Sequence, residues 1–291
     1  MKVCLQCGAK FSSKKWQCPA CQHQPQLLDG YLAFSPELNE QSDGFDDAIF
    51  KRLAKVEESN YWFRSRSRLI IWSLKKYFPG MNNFFELGCG TGYVLSCLEK
   101  TFPELNLHGG EVFVEGLKFG SQRLSRAKLV QMDVRRIPFE DEFEVMSAFD
   151  VLEHIHEDEV VLKQMHRAVR QGGGIVITVP QHPSLWSRTD EYAHHVRRYT
   201  AGELQTKVEK AGFEVQKMTS FVSLLLPLMI ASRLRKRRSD SGSNEMPELE
   251  VNKLLNALLE KFLDLERWMI GLGLTFPVGG SLLLVARKPV H

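Results

Sequence analysis

The stretch from Phe84 to Gly92, Phe-Phe-Glu-Leu-Gly-Cys-Gly-Thr-Gly, constrains the fold of this chain more than any other. Phe84, Phe85 and Leu87 form a short apolar run typical of a buried strand, and residues 91–100 have the pattern of a helix. Glycines at alternate positions let the connecting turn bend tightly and approach a ligand closely. The sequence therefore predicts a strand–turn–helix unit that binds a ligand at its turn.

Two side chains of this unit argue against a dinucleotide as the ligand. The third glycine of a dinucleotide motif would fall where this chain has Tyr93. The carboxylate of Glu86 would repel a pyrophosphate, but it suits a ligand with an ammonium or sulfonium group. The motif from Glu86 to Gly92 resembles the first motif of the class I S-adenosylmethionine-dependent methyltransferases.

Two further predicted strands also end in acids, Glu111 and Asp133. An acid about 20 residues after the glycines accepts hydrogen bonds from ribose hydroxyls in doubly wound sheets, which predicts that role for Glu111. The resemblance implies that Asp133 accepts from the adenine amino group, and that the fold is a Rossmann-like seven-stranded sheet whose last strand is antiparallel. The cofactor-binding residues that it implies are Glu86, Gly88, Cys89, Gly90, Gly92, Glu111, Val112, Asp133, Val134, Phe149 and Asp150.

An aromatic and basic segment, residues 61–66, precedes the glycine turn inside a helical stretch. Its three adjacent aromatic side chains cannot share one face of a helix. We therefore expect a lid in which Trp62 covers the cofactor and Arg64 meets its carboxylate. The alternative is that the aromatics belong to the core and the arginines are solvated.

The strand predicted from Phe143 to Phe149 is followed by a segment that resembles the fourth methyltransferase motif, in particular the Leu-Glu-His of quinone O-methyltransferases. His154 and His156 titrate near neutrality, so both are candidate bases for a hydroxyl acceptor. Alternatively, the acids at positions 157–159 mark the start of a helix. The related quinone enzymes also suggest a divalent ion at Asp150, Glu153 and His154.

A second histidine-rich segment lies in the long loop after the fifth strand, and long loops at strand ends often carry function. It resembles the His-x-Arg-Arg-Tyr segment of bacterial methyltransferases encoded with cell-surface polysaccharide and lipid genes. His195 is a third candidate base, and Arg197 or Arg198 could hold a phosphate or carboxylate of the acceptor. The alternative for these arginines is a structural ion pair. The candidate substrate residues are His194, Arg197, Arg198 and Tyr199.

Four cysteines near the start of the chain form two Cys-x-x-Cys pairs, and each pair presents two thiolates from a tight turn. Four thiolates complete a tetrahedral zinc shell without an open position, so we expect a structural site rather than a catalytic one. The alternative is a redox or disulfide pair. The predicted zinc ligands are Cys4, Cys7, Cys18 and Cys21.

The chain between the last two predicted strands is far longer than the short turn that the resemblance implies. Residues 221–231 are almost continuously apolar, and five cations follow within residues 233–238. Such a segment is too short to span a bilayer but suits its interface, so residues 221–238 are a candidate peripheral membrane contact. The alternative is a two-helix cap over a small substrate, with an amphipathic helix over residues 249–268.

These patterns predict a zinc ribbon (1–30), a linker (31–46), a catalytic domain (47–220 with 279–291) and a helical insertion or cap (221–278). The lack of an apolar leader favours the cytoplasm, with peripheral contact at the inner membrane face. We expect an S-adenosylmethionine-dependent methyltransferase that modifies oxygen on a small-molecule or lipid- or saccharide-linked acceptor. The alternatives are a zinc-ribbon RNA methyltransferase, which the net charge of +3 disfavours, and a non-catalytic cofactor-binding scaffold.

Overall fold

The computed structural model describes residues 1–39, 47–237 and 251–290, without the side chains of residue 47 and of residues 232–237. Two short antiparallel strands form the start of the cysteine-rich unit, and a second hairpin follows it. These strands are β1 (Lys2–Val3), β2 (Lys10–Phe11), β3 (Gln26–Leu28) and β4 (Tyr31–Ala33).

Strands and helices then alternate, as the sequence predicts. The elements are α1 (Asp47–Val56), α2 (Tyr61–Tyr77), β5 (Asn83–Leu87), α3 (Tyr93–Thr101), β6 (Asn106–Glu111), α4 (Val114–Arg123), β7 (Lys128–Gln131), β8 (Phe143–Phe149), α5 (Asp158–Ala168) and β9 (Val169–Pro180). They are followed by α6 (Arg188–Tyr192), α7 (Ala201–Lys210), β10 (Glu214–Phe221), α8 (Leu226–Arg237), α9 (Lys253–Gly271) and β11 (Ser281–Arg287).

Within the described residues, nine strands form one sheet in the order β10-β11-β9-β8-β5-β6-β7-β4-β3. Strands β5 to β9 pair in parallel, and β11 pairs antiparallel with both β9 and β10. This confirms the predicted Rossmann-like core of seven strands with a reversed last strand. The carboxyl ends of the parallel strands therefore meet at one edge of the sheet, where ligands bind in doubly wound folds.

The sheet is buried on both faces. Successive side chains of its central strand, β5, belong to two different core clusters, one on each face. Phe85 and Leu87 of β5 pack in one cluster with Phe143 and Ile177, whereas Phe84 packs in the other with residues of α2 and α3. This alternation follows from the two-residue period of a strand. It explains why the apolar residues of β5 are not limited to alternate positions.

The predicted linker 31–46 is partly a component of the sheet. Residues 31–33 form β4, whose Leu32 pairs with Val130 of β7, so the β3–β4 hairpin extends the seven-stranded core by two strands. Trp16 fixes the cysteine-rich unit to this edge, since its ring lies 4.6 Å from that of Phe34 and 5.5 Å from that of Phe139. The cysteine-rich unit and the catalytic core are therefore packed together, and residues 40–46 lie outside the described part.

The insertion between β10 and β11 contains two helices in the described residues. Helix α9 packs against α2, and buried Glu266 accepts hydrogen bonds from the backbone N–H groups of Ser223 and Leu224 just before α8. The candidate membrane segment 221–238 includes α8, but its basic side chains from Arg233 to Arg238 lie outside the described residues. No helix in the described ranges is both long enough and apolar enough to cross a bilayer.

Candidate functional site

The glycine turn after β5 has the geometry that the sequence predicts. Gly88 and Gly90 have φ values of +61° and +51°, which disfavour any residue with a side chain. A Cβ on Gly88 would lie 2.6 Å from Cγ2 of Val151, whereas a Cβ on Gly90 would meet nothing within 4 Å. The turn is therefore tightly packed on one side and open beside Gly90, where a ligand could approach the backbone.

Two of the predicted acids lie beside this turn. Glu86 is buried, and its Oε2 atom has no hydrogen-bond partner in the described chain. Burial raises the pKa of Glu86 to about 8, and the positive charge of Arg66 partly opposes the increase. Glu111 accepts hydrogen bonds from the backbone N–H groups of Gly90, Val112 and Phe113 at 2.8–3.2 Å, so it links the turn to the end of β6.

The third acid, Asp133, lies after β7 and has a partner of its own. Its carboxylate accepts hydrogen bonds from the Arg135 backbone N–H at 2.9 Å and from Nε of Arg135 at 3.0 Å. An adenine amino group would therefore share this carboxylate with a guanidinium. The neighbouring predicted residues Cys89, Val134 and Phe149 are buried in the protein core, and Val112 is half-buried.

Arg66, rather than Arg64, reaches the site from α2. Its guanidinium forms an ion pair with Asp150, and its central carbon lies 4.5 Å from the centre of the Trp62 ring. Asp150 also accepts a hydrogen bond of 3.2 Å from the Thr178 hydroxyl. This corrects the prediction of Arg64, whose side chain points to α9 and pairs with Glu260. The reason is helical geometry. Trp62 and Arg66 are four residues apart and share a face of α2, whereas Arg64 is two residues from each and lies on another face.

A second helix covers the turn, and the sequence did not identify its role. Phe50 of α1 and Gly90 would both contact a Cβ placed on Gly116, so α1 lies beside the glycine turn. Glu57, just after α1, accepts hydrogen bonds from the Thr91 hydroxyl at 2.6 Å and from Arg123 at 2.8 Å. These buried bonds hold the start of α3 in place. Glu57 belongs to no recognised motif, so the sequence alone does not indicate this network.

The residues around the turn fit S-adenosylmethionine. The buried Oε2 atom of Glu86, which has no partner in the described chain, matches a ligand with an ammonium group. The open side of Gly90 leaves room for a ligand beside the backbone. Glu111 ends β6 and Asp133 follows the neighbouring strand β7, and both offer the oxygen acceptors that ribose and adenine require.

A separate polar cluster follows β8, formed by Glu153, His154 and His195, whose ligand-type atoms lie within 4.8 Å of one another. Glu153 is fully buried, and neither of its carboxylate oxygens has a hydrogen-bond partner within the described chain. Burial and the nearby Asp150 charge raise the pKa of Glu153 well above its usual range. Burial and the neighbouring histidines lower the pKa of His154 to about 3. His154 is therefore a weak proton acceptor.

His195 joins this cluster from the long loop after β9. Its ring lies 4.7 Å from the ring of His154, and its Nδ1 lies 3.0 Å from Oδ1 of Asp190. A carboxylate only accepts, so Nδ1 carries the proton and Nε2 is left as an acceptor. Asp190 is itself fixed by Arg198, whose Nε donates at 2.7 Å. Neither Asp190 nor the contact between the two histidine-bearing segments was predicted.

Three of the four predicted substrate residues make structural contacts instead. Arg197 pairs with Asp158 at 2.8 Å, and Arg198 pairs with Asp190. Tyr199 is fully buried and donates to Asp158 at 2.6 Å. Both arginines therefore form structural ion pairs, which was the alternative to substrate binding. The remaining candidates, His156 and His194, are exposed and do not belong to the histidine cluster after β8.

The four predicted zinc ligands, Cys4, Cys7, Cys18 and Cys21, come together in the first unit. The sulfur atoms of Cys4 and Cys21 are 3.6 Å apart, and those of Cys7 and Cys18 are 3.7 Å apart. In a tetrahedral zinc–thiolate site, sulfur atoms are separated by about 3.8 Å. The cluster therefore fits a closed four-cysteine zinc shell.

Comparison with known proteins identifies the domain that holds the glycine turn. Residues 85–177 match the family described as "Methyltransferase domain". A probable S-adenosylmethionine-dependent methyltransferase from Mycolicibacterium smegmatis is 27% identical over 171 residues, 55% of this chain and 62% of the relative. A demethylmenaquinone methyltransferase from Geobacillus kaustophilus is 28% identical over 119 residues, 38% of this chain and 51% of the relative. This chain thus spans less than two thirds of either relative.

Solved structures share the same fold at low sequence identity. A phosphoethanolamine N-methyltransferase from Haemonchus contortus, in complex with S-adenosyl-L-methionine, superposes with a TM-score of 0.58 at 14% identity, over 87% of this chain and 60% of that one. An O-methyltransferase family protein from Burkholderia thailandensis gives a TM-score of 0.54 at 12% identity, over 84% and 59%. Residues 85–177 therefore match a methyltransferase domain, and the chain has the fold of these solved methyltransferases.

Proposed function

We propose that this chain transfers a methyl group from S-adenosylmethionine to oxygen on a small-molecule or lipid- or saccharide-linked acceptor. The observation that carries the proposal is the arrangement of three carboxylates, Glu86, Glu111 and Asp133, at three adjacent strand ends around the glycine turn. In its ionised form, Glu86 would repel the pyrophosphate of a dinucleotide and attract an ammonium group.

The chain's own residues would bind and align the donor. Bound S-adenosylmethionine supplies an electrophilic methyl group on its sulfonium. Glu86 would accept a hydrogen bond from the ammonium group, Glu111 from the ribose, and Asp133 from the adenine. Trp62 and Arg66 would exclude water from one side, and Phe50 from the side near Gly116. Alignment of donor and acceptor is the main contribution expected of the protein.

His195 is the proton acceptor that we assign for a hydroxyl substrate. Its Nδ1–H is held by Asp190, so Nε2 keeps the lone pair that takes up a proton. The neighbouring His154 serves this role poorly, because its depressed pKa disfavours the protonated form. Asp190 lies one loop away from the strand end and acts as a positioning residue.

A divalent ion is the competing use of the same cluster. Asp150, one of the three predicted ligands, is occupied by Arg66 and Thr178, whereas His195 completes a set with Glu153 and His154. Dialysis against EDTA distinguishes the two uses. Unchanged turnover supports proton transfer by His195, and lost turnover that Fe²⁺ or Ni²⁺ restores supports the ion.

We infer a structural zinc ion at the four cysteines, because their sulfur separations suit one tetrahedral ion. The expected result is about one zinc per chain in reduced, folded protein, by atomic emission. A folded sample without zinc would contradict the assignment.

The nature of the acceptor is tested by fractionation. Relatives of this chain include a demethylmenaquinone methyltransferase and a phosphatidylethanolamine N-methyltransferase from Cereibacter sphaeroides, 32% identical over 106 residues, 32% of this chain and 47% of the relative, which supports a lipid-linked acceptor. Protein with methyl-labelled cofactor is incubated with an extract that is then separated into lipid, polar small-molecule, nucleic-acid and protein fractions. Label in the lipid or small-molecule fraction supports the proposal. Label only in nucleic acid favours the RNA enzyme, and binding without turnover favours the scaffold.

A further inference from the structure

Helix α9 has two apolar faces, and the described residues cover only one of them. On the inner face, Leu259, Leu263 and Ile270 are buried in the core cluster that includes α2. The outer face carries large apolar side chains that are exposed, with Leu254 exposed to 87% and Trp268 to 58%. This outer stripe consists of Leu254, Leu255, Leu258, Phe262, Leu265, Trp268 and the C-cap residue Leu272.

The spacing of these residues places them on one side of the helix. Leu254, Leu258, Leu265 and Leu272 follow one another at intervals of four, seven and seven residues, close to one and two turns of a helix with about 3.6 residues per turn. Single exposed apolar side chains such as Leu27 and Val160 are ordinary on a protein surface. A contiguous stripe along a 19-residue helix is not ordinary and indicates a binding surface.

The charges of α9 favour an anionic partner. The acids of this helix are paired or buried: Glu260 pairs with Arg64 and Arg68, Asp264 pairs with Arg68 and Arg267, and Glu266 is buried. The cations Lys253 and Lys261 are exposed instead. Lys261 lies three residues after Leu258 and four before Leu265, so it lies within the stripe.

The sequence just before α9 offers few apolar side chains to pair with the stripe. Residues 239–250 contain four acids, and Met246 and Leu249 are their only large apolar residues. Two large apolar residues are few beside the seven of the stripe. The cations of residues 233–238, which precede it, would add attraction to the same anionic partner.

We propose that the outer stripe of α9 docks on the surface of an anionic lipid bilayer. A helix that lies in the plane of the interface buries its leucines among the acyl chains and keeps its lysines at the headgroups. Trp268 at the edge of the stripe has the amphipathic ring that membrane interfaces favour. The main membrane contact is thus α9 and not residues 221–238, which the sequence indicated. Of that segment, the exposed Leu228 and Ile230 of α8 are available for additional contact.

Helix α9 is joined by hydrogen bonds to the start of α2, the helix that carries Trp62 and Arg66. The Asn256 side chain of α9 accepts from the backbone N–H of Tyr61 at 2.8 Å and donates to the Ser59 carbonyl at 3.0 Å. The next residue, Trp62, and Arg66 belong to the site itself. Docking through α9 therefore also sets the orientation of α2 at the lipid surface.

Co-sedimentation of the full chain with vesicles tests the proposal. Vesicles of phosphatidylglycerol and phosphatidylcholine should retain the chain, and vesicles of phosphatidylcholine alone should retain much less. The double variant L258E/L265E should bind anionic vesicles at least about tenfold more weakly, since each change places a carboxylate in the stripe. The control L27E/V160E has the same charge change at exposed residues outside α9 and should bind like the native chain.

Three results would overturn the proposal. They are absence of binding to anionic vesicles, equal binding by L258E/L265E, and a dimer in sedimentation that L258E/L265E dissociates without any vesicle binding, which would identify a second copy as the occupant. Thermal unfolding confirms that the variants are folded. Cofactor binding is measured on the same samples by calorimetry, so a failure of lipid docking is distinguishable from a failure of the methyltransferase assignment.

Discussion

Glu86 is the residue whose ionisation should control cofactor binding. Burial raises its pKa to about 8, so only about a tenth of the carboxyls are ionised at pH 7. An ammonium group requires the ionised form, and affinity should therefore increase by roughly fivefold or more between pH 7 and pH 8.5. Calorimetric titrations with S-adenosylhomocysteine across this range measure the slope.

The variant Glu86→Gln isolates this effect from titration of the ligand. It should bind more weakly and lose the part of the pH dependence that the carboxyl supplies. An identical slope in native and variant protein would contradict the role of Glu86. The same raised pKa implies that Glu86 lowers stability as pH increases from about 4.5 to about 8, because the unfolded chain releases the proton first.

His195 and His154 form a matched pair for testing proton transfer, since their rings are in contact. His195→Gln should lower kcat by roughly 100-fold, because it removes the acceptor that Asp190 orients. His154→Gln should leave the shape of the pH–rate profile above pH 5 unchanged, because His154 with its pKa of about 3 is already neutral there. Steady-state kinetics with the identified acceptor, at pH 5–9, decide between them. Full turnover in His195→Gln would contradict the assignment.

Among the elements, helix α2 carries two arginines, Arg64 and Arg66, and the sequence alone does not show which of them lies at the cofactor site. Arg66→Ala should weaken cofactor binding by about tenfold, because it leaves the Asp150 carboxylate without its guanidinium at the site. Arg64→Ala, which removes an exposed ion pair with Glu260, should change affinity by less than about twofold. Equilibrium binding of the cofactor to both variants checks this. Equal losses would show that α2 acts only as a structural support.

The β3–β4 hairpin joins the cysteine-rich unit to the sheet through Trp16. Trp16→Ala should lower the free energy of unfolding by about 2–3 kcal/mol, because it removes ring contacts with Phe34 and Phe139. Trp268→Ala, at an exposed position of α9, should change it by less than about 0.5 kcal/mol. Denaturant unfolding of zinc-loaded protein gives both values. A cost near zero for Trp16→Ala would mean that the cysteine-rich unit is not coupled to the core.

Elements with strong local signals were predictable, and those that depend on distant pairing were not. Strands β5 and β11 agree with prediction because apolar strands are encoded locally, whereas the reversed direction of β11 was implied by the resemblance to class I methyltransferases. Strand β4 has three residues and is defined by pairing with Val130, nearly a hundred residues later. The roles of Arg197 and Arg198 likewise depend on Asp158 and Asp190, whose positions only the fold reveals.

At the scale of the whole molecule, three units share one framework. The cysteine-rich unit contacts the loop after β7, since the Val3 backbone N–H donates to the Pro138 carbonyl at 2.9 Å. The insertion contacts α2 on the other side of the sheet, through the α9 helix. The cofactor-binding edge lies in the seven-stranded core to which both are attached. A structural change in the cysteine-rich unit can therefore affect the site through the loop after β7, and a change in the insertion can affect it through α2.

Calorimetry on folded, zinc-loaded protein shows whether the carboxylates at the strand ends select a cationic adenosyl donor over a dinucleotide. We expect saturable heat from S-adenosylmethionine and from S-adenosylhomocysteine at one site per chain, weakened by Glu86→Gln, and no heat from NADH. Saturable binding of NADH, with no response to either adenosyl compound, would contradict this expectation.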